Sequence, residues 1–145
     1  MNRRERIVET VHRIAEVEER QAMVGLGRAE AARQEAANEV AALEEREVAA
    51  ETLLTQGSMS VVERELLWAH RAWTSRERVS TGERLALTEA EVDAARSRLT
   101  DRKQNTRVRE AVKDKVHQQA HHEREAKAQR ELDVIAVRRA GPIKD

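Results

Sequence analysis

The stretch that decides the fold is LLTQGSMSVVERELL, residues 53–67. Its centre, Gln56-Gly57-Ser58-Met59, has the composition of a turn. Ser60 and Glu63 then match the capping-box pattern, in which a serine oxygen and a glutamate side chain satisfy the first N–H groups of a helix. We therefore predict that one helix ends near residue 55, that a turn covers residues 56–60, and that a second helix begins at residue 61.

Outward from this turn, both flanks read as long helices. Ala, Glu and Arg dominate, and strong helix formers of this kind favour helices over residues 3–55 and 61–139. The second helix should stop where Arg138 and Arg139 suit a negative helix end and where Gly141 and Pro142 follow. Residues 140–145 are left as a short tail.

The composition is that of a coiled coil rather than of a layered domain. The chain has 145 residues, of which 37% are charged; Phe, Tyr and Cys are absent. Without cysteine there is no disulfide or thiolate metal site. A net charge of zero argues against nucleic acid as the main partner. Since no apolar run is long enough to span a membrane and no signal-peptide core is recognisable, we expect a cytoplasmic protein.

Neither helix can bury its apolar stripe alone, so the short turn predicts an all-α, antiparallel coiled-coil hairpin forming a single domain. In the first helix we place the packed stripe through Ile7, Val11 and Ile14 and onward to Ala36 and Leu43, with a period close to that of a straight helix. Residues 1–56 hold 8 Arg and 12 Glu, whereas residues 101–145 hold 12 Lys or Arg and 8 Asp or Glu. Opposite charge would attract the two segments if they lie side by side, although we expect most individual charges to form ordinary solvated helix surface.

A bend centred near Ser58 would place residue i opposite about residue 116 − i. The first helix would then run out opposite about residue 113, leaving the end of the second helix without a partner in the chain. That end carries Leu132, Val134, Ile135 and Val137 around most of its circumference, a pattern typical of an enclosed helix. We predict that this segment, with Arg138 and Arg139, docks on another protein; the alternative is a frayed tail.

Two smaller features have competing interpretations. Trp73 falls on the stripe predicted to pack against the first helix, whereas Leu67 and Trp68 fall to its side, where exposed aromatics often anchor partners. His117, His121 and Glu125 share a helical face that could hold zinc, beside His122. Four ligands are not present together in the sequence, so we predict an exposed polar surface, with no metal and no cofactor. No catalytic arrangement emerges, and we expect no enzyme.

Two segments of the sequence are distinctive: RIVETVHRIAEVEERQAMVGLGRAEAAR in the first helix and RELDVIAVRR at the end of the second. Together they resemble the FliJ family of flagellar export proteins. The first is similar to the family's Glu- and Ala-rich first helix, and the second to its ELDEIAARR-like segment through Glu131, Leu132, Asp133, Ile135, Ala136, Arg138 and Arg139. The YscO-type stalk proteins of virulence secretion systems look similar as well.

The resemblance to FliJ implies a two-helix antiparallel coiled coil that catalyses nothing and works in type III export. It implies that the C-terminal residues enter the ring of the flagellar export ATPase, and that the protein also contacts the membrane-embedded export gate and escorts export chaperones. We assign the gate contact to Leu67, Trp68 and Trp73. The expected location is the cytoplasmic face of the inner membrane, without direct insertion, and the isolated protein should be a monomer. The alternative is a general coiled-coil scaffold that forms homo-oligomers.

Overall fold

A computed structural model describes residues 1–141. It contains helix α1, Arg3–Thr55, and helix α2, Val61–Ala140, and no strand within the described residues. The helices pack against each other in opposite directions, since Glu47 pairs with Arg78 and Glu18 pairs with Arg102. The predicted all-α antiparallel hairpin is confirmed. Of the predicted tail, residues 142–145 lie outside the described part.

The connection between the helices has the predicted local chemistry. Gly57, the second residue after α1, adopts a left-handed conformation with φ of 73°, a conformation that costs other residues energy. The Glu63 N–H donates to Ser60 Oγ at 3.2 Å, and the Ser60 N–H donates to Glu63 Oε2 at 3.3 Å. These reciprocal bonds satisfy N–H groups that have no partner within the first turn of α2.

Contacts divide the chain into two compact units, each built from part of both helices. One unit contains residues 21–100, and the other contains residues 1–20 together with the residues from 101 onward. In the unit of residues 21–100, small side chains close the interface: Ala36 and Ala50 of α1, and Thr74, Thr81 and Ala95 of α2, are all buried. Leu43 and Val92 supply the largest apolar side chains of this core.

The unit formed by residues 1–20 and the residues from 101 onward has a more polar interior. Ala15 and Ala120 are buried, but so are Glu5 and His12. The Thr106 hydroxyl donates to the Ala15 carbonyl at 3.3 Å. Buried polar groups are stable only when they find partners, so the packing of this unit depends on specific contacts between charged and polar side chains.

The packed face of α1 differs from the predicted stripe in its first third. Ile7 and Ile14 are 52% and 53% exposed, whereas Glu5 and His12 are covered. One unbroken series of covered or half-covered residues advances in alternating steps of three and four, which is the heptad period of a coiled coil and not that of a straight helix. Its members are Glu5, Val8, His12, Ala15, Glu19, Ala22, Leu26, Ala29, Arg33, Ala36, Val40, Leu43, Glu47, Ala50 and Leu54. The prediction failed in the first turns because it followed hydrophobicity, while Glu5 and His12 occupy the covered positions there.

The predicted register was also wrong. It set residue 69 opposite Glu47, but Glu47 Oε2 lies 2.8 Å from Nη1 of Arg78. It set residue 111 opposite Glu5, but Glu5 contacts His117 and Arg124. The cause is visible at the connection, where residues 60–66 are all exposed and α2 begins to pack only at Leu67. A residue of α1 therefore lies opposite a later residue of α2 than a bend centred on Ser58 predicts.

Candidate partner-binding surfaces

The C-terminal segment, defined here as residues 125–140, extends α2 beyond its contacts with α1. Ala120 is the last buried residue of α2, and every described residue from 121 to 141 is exposed. Because Arg124 still reaches Glu5, at 3.4 Å, the segment without contacts to α1 begins near residue 125 and not near residue 114 as predicted.

Large apolar side chains on the C-terminal segment face solvent. The exposed fractions are 59% for Leu132, 51% for Val134, 45% for Ile135 and 73% for Val137. Arg138 and Arg139 occupy the last turn of α2 and are exposed as well. A run of aliphatic side chains this exposed at the end of a charged helix is what a docking segment requires, since single exposed apolar residues are ordinary but grouped ones are not.

One side of the C-terminal segment is in line with the face by which the preceding turns of α2 pack against α1. Lys113, Val116 and Ala120 are the covered residues of the preceding turns. The same heptad steps continue to Lys127 and Val134. A shallow groove of about 460 Å³ follows this side, lined by Lys127, Arg130, Glu131, Val134, Ile135 and Arg138. The groove combines an aliphatic floor with three basic side chains and one acidic one.

A second candidate surface lies just after the turn, on α2. Trp68 is 54% exposed, and the Arg71 guanidinium carbon lies 5.4 Å from the centre of its ring. Leu67 is half-buried and lines an open groove of about 360 Å³ with Leu53, Met59, Glu63, Leu66 and His70. The apolar character of this surface comes mainly from α2.

Trp73 is not enclosed in the interface between the helices, where the prediction placed it. It is 45% exposed and stacks on His70 with ring centres 6.2 Å apart, while its neighbour Thr74 is completely buried. The Thr74 hydroxyl donates to the His70 carbonyl at 2.9 Å, so this polar side chain enters the interface with its hydrogen bond made. A small residue fits where the helices approach closely, and the large indole is left outside.

The most elaborate polar cluster was not anticipated from the sequence. It joins the start of α1 to α2: Glu5 Oε1 lies 3.1 Å from His117 Nδ1, and Glu9 Oε1 lies 3.3 Å from His117 Nε2. Glu5 also closes a capping box with Asn2, in which the Asn2 N–H donates to Glu5 Oε2 at 2.7 Å and the Glu5 N–H donates to Asn2 Oδ1 at 2.8 Å. The Asn2-x-x-Glu5 spacing was the sequence signal for this box.

The surroundings of Glu5 favour its charged form. The hydrogen bond from the Asn2 N–H is the largest influence and lowers the pKa of Glu5 below its ordinary value of 4.5. Burial acts in the opposite direction, while the His117 ring and the Arg124 guanidinium lower the pKa further. A carboxylate that accepts hydrogen bonds and faces a guanidinium keeps its negative charge.

The histidine face considered for zinc is divided in the structure. His117 turns to Glu5 and Glu9, whereas His121 Nε2 contacts Glu125 at 3.1 Å and His122 lies 3.7 Å from the same carboxylate. Within residues 1–141, no group of three or more candidate ligands comes together to hold a metal ion.

No protein-family model, curated protein or solved structure matches this chain. Within the described part of the chain, neither helix offers a segment that is both long and apolar enough to cross a membrane.

Proposed function

We propose that this protein is a FliJ-like component of a flagellar type III export apparatus: a non-catalytic coiled-coil stalk that links the export ATPase to the export gate and escorts export chaperones. It would act at the cytoplasmic face of the inner membrane. The observation that carries the proposal is the C-terminal segment. Its grouped aliphatic side chains are exposed on a helix whose preceding turns are packed against α1.

The C-terminal segment has the chemistry of a helix that is bound inside another protein. Apolar residues on several sides of one helix favour enclosure over contact along a single face. Leu132, Val134, Ile135 and Val137 meet this condition, and Arg138 and Arg139 add positive charge at the tip. The central opening of an ATPase ring is an enclosure of this kind. The ELDVIAVRR ending that resembles FliJ coincides with these residues.

The proposed gate contact uses the surface after the turn. Leu67, Trp68 and Trp73 present partly exposed apolar area on α2. Exposed tryptophans are frequent energetic centres of protein interfaces. We assign this surface to the export gate and the C-terminal segment to the export ATPase, so that mutations in the two surfaces should impair binding to different partners.

The decisive experiment measures binding of the full chain to the purified flagellar export ATPase by calorimetry. Deleting residues 131–145 should abolish binding while most helical circular dichroism is retained. The double variant Leu132→Asp/Ile135→Asp should weaken binding by about thirtyfold, as expected when buried anchors of an interface are lost.

A matched control is available on the same helix. Val79 and Leu87 are 60% and 66% exposed, so Val79→Asp/Leu87→Asp adds the same charge at comparable exposure. It should leave the affinity within about twofold. Equal loss in both double variants, or unchanged affinity after the deletion, would exclude the C-terminal segment as the ATPase-binding element. Tighter binding to a virulence-system ATPase would favour a YscO-like stalk instead.

The general scaffold has one observation in its favour. Lys127 and Val134 occupy coiled-coil positions on the side of the C-terminal segment that is in line with the packed face of α2. This side is exposed, and no described residue of the chain packs against it. A second copy could pair there. Mass measurement in solution distinguishes the alternatives, because a monomer at micromolar concentration contradicts the scaffold, and a dimer abolished by Ile135→Asp supports it.

A further inference from the structure

The outer side of the first turns of α1 carries a second heptad stripe. Ile7, Thr10, Ile14 and Val17 advance in steps of three, four and three. They lie on the opposite side of the helix from Glu5, Val8, His12 and Ala15, which pack against α2. All four are exposed, with values of 52% for Ile7, 53% for Ile14 and 47% for Val17. This spacing is that of a coiled-coil seam and predicts a helical partner.

Thr10 does not disturb the apolar character of this stripe. Its hydroxyl donates to the Arg6 carbonyl at 2.9 Å on the same helix. With its hydrogen bond made locally, the side chain can present its methyl group outward. The stripe therefore offers four consecutive core positions of a helix–helix interface, and none of them covers α2.

Arginines flank this stripe at a fixed position. Arg6, Arg13 and Arg20 are spaced by seven residues, so they occupy the same heptad position, directly beside the seam. All three are exposed, and Arg13 and Arg20 make only long contacts within α1, at 3.8 Å to Glu9 and 3.9 Å to Glu16. Charged residues at these flanking positions decide which helix a coiled coil accepts.

The acidic residues of the same turns are directed elsewhere. Glu5 and Glu9 contact His117, and Glu18 Oε2 lies 2.7 Å from Arg102. Glu16 lies 3.7 Å from the buried His12. These carboxylates thus point toward α2 or toward the covered side of α1. The outer face consists of basic and aliphatic side chains.

We propose that this outer face, from Arg6 to Arg20, binds a helix of another protein whose apolar heptad seam is flanked by Asp and Glu. Antiparallel pairing of two copies through this face is unfavourable, because it sets arginine against arginine. An anionic membrane fits less well, since interfacial helices bury larger and more aromatic surfaces than Ile7, Ile14 and Val17 provide. The proposal does not depend on the assignment of the C-terminal segment.

The test uses the full chain and two synthetic four-heptad peptides, with Ile and Leu in the seam and either Glu or Lys at both flanking positions. Fluorescence anisotropy should show about tenfold tighter binding of the Glu peptide, an effect that salt weakens. Arg6→Glu/Arg13→Glu/Arg20→Glu should reverse the preference. Ile7→Ser/Ile14→Ser should abolish binding of both peptides without loss of helical circular dichroism.

A charge-matched control distinguishes recognition from simple attraction. Arg76, Arg98 and Arg107 are exposed on α2, so Arg76→Glu/Arg98→Glu/Arg107→Glu changes the net charge equally and should preserve the preference for the Glu peptide. Three results would overturn the proposal: equal affinity for the two peptides, an equal effect of both triple variants, or a dimer of the chain that dissociates in Ile7→Ser/Ile14→Ser. Binding to vesicles of anionic lipid without peptide selectivity would overturn it as well.

Discussion

Oε1 of Glu5 lies 3.1 Å from Nδ1 of His117, which joins the first turn of α1 to a histidine 112 residues later in the chain. The Glu5 side chain is almost fully covered, and Arg124 approaches the same carboxylate. This cluster is the last set of contacts between the two helices before the C-terminal segment begins. The start of α1 is therefore held by polar contacts rather than by an apolar layer.

The first prediction concerns acid. Because the pKa of Glu5 is lower in the folded protein than in the unfolded chain, its contribution to stability is present above the unfolded pKa and is lost as the pH falls through the folded pKa. Glu5→Gln removes this contribution. The difference in melting temperature between the wild type and Glu5→Gln should be clear at neutral pH and should shrink as the pH falls through the folded pKa of Glu5.

Glu44 provides the control for this titration, because it is an exposed glutamate of the same helix. Glu44→Gln should follow the wild-type melting temperature across the whole pH range. If Glu5→Gln also follows the wild type at every pH, the contacts of Glu5 with Asn2, His117 and Arg124 do not stabilise the fold.

The second prediction tests the small-residue interface with two adjacent alanines. Ala50 is buried, whereas Ala49 is exposed. Ala50→Leu should overpack the contact between the helices and cost about 1–3 kcal/mol of the free energy of unfolding. Ala49→Leu should change it by less than about 0.5 kcal/mol. Urea denaturation measures both, and equal effects would contradict the assigned packing face.

The third prediction concerns the glycines. An added Cβ at Gly25 or Gly27 would meet no atom within 4 Å, so these residues are not required for close contact. Gly25→Ala and Gly27→Ala should each stabilise the protein by up to about 1 kcal/mol. Gly57→Ala should instead destabilise it by about 1–2 kcal/mol, because Gly57 has a positive φ. Thermal melting of the three variants would show whether the signs are opposite.

The fourth prediction tests the observed register by truncation. A chain that ends at Arg124 keeps every contact of Glu5 and should melt within about 2 °C of the full protein. A chain that ends at Val116 loses His117, Ala120 and Arg124 and should melt about 5 °C lower. If both truncations melt at the same temperature, pairing ends before residue 117, as the sequence-based register had required.

Local signals in the sequence were sufficient for the fold. Gly57 and the Ser60–Glu63 box fixed the position of the bend, and the predicted helix bounds lie within one residue of the observed ones. The register was not predictable from the centre of the turn, because the pairing is decided by many small contacts along both helices. Alanine and threonine at those positions carry little information about which residue lies opposite.

The candidate surfaces were predictable where they depended on exposure alone. The apolar residues of the C-terminal segment are exposed, as expected of a docking segment, whereas Trp73 was wrongly placed inside the interface. The same rule misassigned Ile7 and Ile14, because hydrophobic residues were presumed to pack. His12 and Glu5 lie inside instead, and the α2 partners of Glu5, His117 and Arg124, become evident only when the two helices are placed side by side.

The alternating steps of three and four along α1 mean that its length can change in increments of seven residues without rotating the packed face away from α2. Losing one such increment would shorten α1 by about 10 Å and slide Glu5 away from His117 along the partner helix. Evolution or an engineer can thus adjust how much of α2 protrudes by adding or removing whole heptads. The length of the C-terminal segment that extends beyond α1 can therefore change in steps of one heptad.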